Sequence, residues 1–149
     1  MKIELLKQVL QETTGIQIAN VFFDRAQIVN TERDKDYPYV LWDLNTFRSR
    51  MNWQSTNQIS EQVTMRAYVM GYFDKMAAEG QTYSREEVYD QLRAAFREYL
   101  GLVNSSSQVK VTNLNNMANE LWDAGITVDS ELAVSFDVNM TLYCNSDDL

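Results

Sequence analysis

At 149 residues and 17.3 kDa the chain has the size of one ordinary domain, and a 45% hydrophobic share suffices for one continuous core. Thirteen Lys and Arg against 21 Asp and Glu leave a net charge of −8, which repels nucleic-acid phosphate instead of attracting it. With no histidine and Cys144 as the lone cysteine, the usual catalytic triads, most catalytic zinc sites and any internal disulfide are excluded.

These features predict one folded domain over residues 1–149, in a reducing compartment and with assembly in the cytoplasm. The opening "MKIELLKQVLQETTG" holds Glu4 and Lys7 among its apolar residues, so no secretory signal is expected, and no stretch is apolar enough to span a bilayer. Leu5, Leu6, Val9 and Leu10 line one side of a helix over residues 2 to about 13, with Gly15 just beyond it. A strand is expected around Asn20 to Ala26, followed by a solvated loop in the alternating charges from Thr31 to Asp36.

The chain's single proline, Pro38, opens "YPYVLWDL", where a missing N–H does least harm at the first position of a strand. Alternation puts Val40, Trp42 and Leu44 on one side and Tyr39, Leu41 and Asp43 on the other, so both faces need cover. Alternation lapses from Arg48 to Ser60, which predicts a long connection or a projecting hairpin tip carrying Met51 and Trp53. It returns from Glu61 to Asp74, with Val63, Met65, Ala67, Val69, Gly71 and Phe73 opposite Thr64, Arg66, Tyr68, Met70 and Tyr72.

"SREEVYDQLRAAFREYLG" reads as a helix. Ser84 and Glu87 form a capping box, Val88, Leu92, Ala95, Phe96, Tyr99 and Leu100 form an apolar side, and Gly101 is placed to close it. Val109, Val111 and Leu114 suggest a strand leading into "NNMANELWDAG", read as a short helix or turn before Gly125. The final stretch alternates from Leu132 to Cys144, which predicts one buried and one wet face, with a frayed tail at about 145–149. The whole predicts an α+β fold: a mainly antiparallel sheet, a capped helix on one face and an N-terminal helix.

Little chemistry is visible. The glycines at 15, 71, 80, 101 and 125 are scattered, so no phosphate-binding loop can be drawn, and no cofactor or metal site is expected. Asp24, Asp43, Glu61 and Asp74 fall at predicted strand ends and loops, where solvated acids are ordinary. A small carboxylate-dependent hydrolase would need two such acids in one cleft. Base stacking on Tyr37, Tyr39, Trp42, Tyr68 and Tyr72 would require a basic groove beside the rings, so these aromatics belong to a mixed core or to a partner's surface.

The order of helix, "YPYVLWDL" strand, "EQVTMRAYVMGYF" strand, "SREEVYDQLRAAFREYL" helix and "ELAVSFDVNMTLYC" strand resembles the tail terminator and neck terminator proteins of tailed bacteriophages, over roughly residues 1 to 144. That resemblance implies a non-enzymatic virion protein. Its copies would form a ring, commonly of six, at the head-proximal end of the tail, touching the tail tube protein and the neck or connector proteins. Another neck or head-completion ring protein would share this layout. DNA would pass through the bore without specific contact, and acidic residues there would keep phosphates from sticking. Interface positions expected from the residues are Met51 and Trp53 in the irregular connection and Tyr68, Met70 and Tyr72 on the two-sided strand.

Overall fold

The computed structural model describes residues 3–13, 17–25, 36–53, 58–72, 85–123 and 131–145. Two helices, α1 (Ile3–Glu12) and α2 (Arg85–Asn104), accompany six strands. The strands are β1 (Asn20–Asp24), β2 (Tyr39–Trp53), β3 (Gln58–Tyr72), β4 (Val109–Val111), β5 (Asn119–Asp123) and β6 (Glu131–Asn145). They form one mixed sheet in the order β1-β2-β3-β6-β4, with β5 also on β6. Only the β1–β2 pairing is parallel. The α+β fold expected from the sequence is therefore the one observed.

β2, β3 and β6 are each 15 residues long, about 50 Å at ~3.3 Å per residue, and form the body of the sheet. Pro38 precedes β2, its own peptide bond to Tyr37 is cis, and its carbonyl accepts a 2.8 Å hydrogen bond from the Ala19 amide. The proline thus joins the ladder as an acceptor, the one backbone role open to it.

Helix α2 lies on what we call the inner face of the sheet. Its Val88, Leu92, Phe96, Tyr99 and Leu100 are at most 2% exposed and join Trp42, Met65, Val134, Val138 and Met140 in one cluster. Each large side chain so enclosed contributes ~1.5–3 kcal/mol. Leu6 and Leu10 of α1, four residues apart, enter the same cluster. The Tyr99 hydroxyl sits where these parts meet, accepting from Trp42 Nε1 at 3.2 Å and donating to the Leu10 carbonyl.

Several expectations are corrected. Gly101 does not end α2, which continues to Asn104; a Cβ at Gly101 would meet nothing within 4 Å. The helix stops where Ser105 Oγ and the Ser105 and Ser106 amides bond back to the Gly101, Leu102 and Val103 carbonyls. "NELWD" is strand β5, not a helix or turn, because its β-prone Leu121 and Trp122 find an edge on β6. Asn145 pairs with Gln58 and so belongs to β6, not to a frayed tail. The capping box at Ser84, Gly15, Phe73 and Asp74 lie outside the described residues.

The segment read as an irregular connection is mostly regular strand. Between the pairs Asp43↔Arg66 and Arg48↔Thr64 the register shifts, so Leu44, Asn45, Thr46 and Phe47 stand opposite Met65 alone. Thr46 Oγ1 donates to the Asp43 carbonyl and accepts from the Arg66 amide, while Asp43 Oδ1 accepts from the Asn45 amide. This bulge reverses the phase of β2. Odd residues face outward before it, even residues after it, and pairing resumes through Trp53↔Ile59. Alternation is shifted in phase, which a single-period reading registers as its loss.

Candidate functional site

The outer face changes along its length. At one end Tyr39, Leu41, Met70 and Ala133 are 1–3% exposed and pack with half-buried Phe22, Tyr37, Tyr68 and Trp122. The Phe22 and Tyr39 rings meet edge to face at 5.4 Å, and Trp122 Nε1 donates to Ser135 Oγ at 3.0 Å. The second apolar face of β2 and β3 is thus enclosed within one chain. The cover that both faces were expected to need is supplied at this end by the chain itself, with Tyr39 in a mixed core and not on a partner's surface. Ala133 and Ser135 are buried too, so β6 has a wet face only from Asp137 onward.

At the other end the outer face is open. Arg48, Arg50, Gln62, Thr64, Asn139 and Tyr143 are exposed. Between the two zones Asp24, Asp43, Arg66 and Asp137 stand in one row across β1, β2, β3 and β6. Arg66 Nε donates to Asp137 Oδ1 at 3.1 Å, and its hydrogen bonds to Tyr68 and Asp137 hold the guanidinium more firmly charged than usual. Asp43 is buried, with its carboxylate turned into the bulge. Glu61 lies mid-strand on the inner side, 2% exposed, with Oε1 accepting no hydrogen bond, which corrects the expectation of a solvated acid at a strand end. Among the described residues no three His, Cys, Asp or Glu converge as a metal-binding group. No helix among them is long and apolar enough to cross a membrane.

A groove of about 430 Å³ runs beside α2. Phe96, Leu100, Leu114, Met117 and Phe136 give it an apolar floor, and Arg93 and Arg97 stand at its rim. Asp90, its one lining carboxylate, bonds Arg93 Nη1 at 3.3 Å. Two carboxylates do share a smaller hollow of about 120 Å³, where Glu120 and Asp137 stand with Arg66 and Ser135, but there Asp137 is bonded to Arg66 at 3.1 Å.

Among the described residues, β1 and the end of β2 lie along one side of the sheet, and β4 and β5 along the other. β1 covers β2 only as far as Asp43, and among the described strands Arg48–Trp53 pair with β3 alone. We call this segment the arm. On the opposite side of the sheet β5 is paired to β6 alone, and so is β4. Between β4 and β5, Asn113 closes the gap, its side chain donating to the Asp137 carbonyl and accepting from the Asn139 amide as a strand backbone would.

The expected interface residues fall into different settings. Met51 is 37% exposed on the arm, Tyr68 is half-buried beside Arg66, and Met70 is 1% exposed inside the outer-face cluster. Met70 therefore presents no surface to a partner. Trp53 and Tyr72 belong to β2 and β3, and their side chains lie outside the described residues. Sequence reasoning missed Leu121, 45% exposed on β5, because "NELWD" reads as part of a short helix or turn. No protein-family model matches the chain, and comparison with curated proteins gives no match.

Proposed function

We propose that the chain is a structural subunit that joins copies of itself head to tail in a closed ring, as the tail or neck terminators of tailed phages do. In that role it would sit in the virion at the head-proximal end of the tail, between tail tube and neck, around a bore through which DNA passes. The observation that carries this reading is the pair of strand edges on opposite sides of one sheet that no other described strand covers, the arm of β2 and the edge of β5. Unpaired edges are templates for another chain, and two dissimilar patches per subunit are what a rotational ring requires. The groove's single carboxylate, and a small hollow whose Asp137 is already paired with Arg66, give a hydrolytic reading less support.

Native mass measurement with electron imaging of the purified protein, alone and with tail tubes, tests the proposal. Rings of uniform diameter, free or seated on tube ends, are expected. A monomer under both conditions overturns it.

A further inference from the structure

The open edges differ in charge and in apolar content. On the arm, register places Arg48 and Arg50 on the outer face, opposite Thr64 and Gln62, and Met51 on the inner face, opposite Glu61. On β5, Glu120 is on the outer face opposite Ser135, and Leu121 is on the inner face opposite Val134. Arg48, Arg50, Met51, Glu120 and Leu121 are all exposed. The arm, Arg48–Trp53, is one residue longer than the five-residue β5.

We propose, building on the ring reading above, that the arm of one copy adds as a strand to β5 of the next, with inner and outer faces continuous across the junction. Met51 then lies against Leu121 on the inner side, next to the groove floored by Phe136 and Met117. On the outer side Arg50 meets Glu120. With Met51 opposite Leu121, parallel pairing sets Glu120 directly opposite Arg50 and antiparallel pairing sets it on the diagonal, within reach of both long side chains.

Charge selects β5 over its neighbour. β4 is the other strand on that side, but its Val111 amide already donates to Asn104 Oδ1 at 2.8 Å, and its Lys110, opposite Thr141 and bonded to the Asn104 carbonyl, would bring a third cation near Arg48 and Arg50. Choosing β5 also offsets successive copies along the strands. Met51 is level with Leu142 of β6 through Glu61, whereas Leu121 is level with Val134, eight residues away or ~26 Å at ~3.3 Å per residue. Such a stagger tilts the strands against the ring axis, as closed sheets require.

The test is a charge exchange with cross-linking, made on the full chain. Arg50→Glu and Glu120→Arg should each lower ring yield at least tenfold, and the double variant should restore it. In a Cys144→Ser background, Met51→Cys mixed with Leu121→Cys should give a disulfide-linked dimer, and a chain carrying both cysteines should give a ladder ending at the ring's copy number. Wild-type rings with no cross-link and no charge rescue overturn the pairing while leaving the ring intact. Dimers of the Met51→Cys chain alone overturn it also, because they signal arm-to-arm contact. A wild-type chain that never assembles instead overturns the ring itself.

Discussion

The indole of Trp42 and the hydroxyl of Tyr99, 57 residues apart in the chain, meet at 3.2 Å inside the core, and the same hydroxyl donates to Leu10 at the end of α1. One oxygen therefore ties the central sheet to both helices. Tyr99→Phe preserves the ring and strands two buried partners, for an expected loss of about 1–3 kcal/mol. Chemical denaturation of both proteins checks this; an unchanged midpoint would mean that the hydroxyl contributes nothing net.

Alkaline pH should act on the same group. Burial pushes the Tyr99 phenol well above its ordinary value of 10.0, against a smaller opposing effect of the Trp42 bond. The folded state therefore holds its proton more tightly than the unfolded state. That contribution is fully present below pH ~10 and is lost as pH rises through the folded pKa. Melting temperature measured from pH 8 to 11 should fall above pH 10, and the gap between wild type and Tyr99→Phe should narrow there.

The bulge depends on one hydroxyl. Thr46→Val keeps the shape, removes the acceptor for the Arg66 amide and the donor to Asp43, and should cost about 1–3 kcal/mol. Amide exchange at Arg66 should accelerate in this variant, and Thr46→Ser should return it toward the wild-type rate.

Gly101 should be replaceable with profit. It lies inside α2, exposed, with open space where a Cβ would go. Gly101→Ala should stabilise the protein by about 0.5–1 kcal/mol, raising the melting temperature by ~1–4 °C. A fall would show that the helix needs glycine at this position.

What the sequence discloses, and what it hides, follows from range. α2 is legible because Val88, Leu92, Phe96 and Tyr99 repeat at helical spacing, and β6 and the part of β3 from Val63 onward because their apolar residues alternate on the core side. The distal half of β2 is not, since the phase reversal at Leu44–Phe47 is visible only against β3. β5 is hidden for a related reason: five residues between turns are too short for periodicity, and β6 alone makes them a strand. The open edges share this obscurity, because an unpaired strand side is a property of the assembled sheet. Met51 was legible as a bulky apolar residue in an exposed setting, whereas Met70 could be placed inside only once the outer-face cluster was known.

Four residues stand against one between Asp43 and Arg48, and that count decides which way the arm's side chains point. A one-residue insertion or deletion there that kept the bulge and slid the arm one position along β3 would turn the arginines toward the helix side and the methionine toward the opposite side. A two-residue slide would leave both on their present faces. Homologous chains should accordingly vary in even steps at this point, so the length of one small loop would govern whether neighbouring copies still recognise each other.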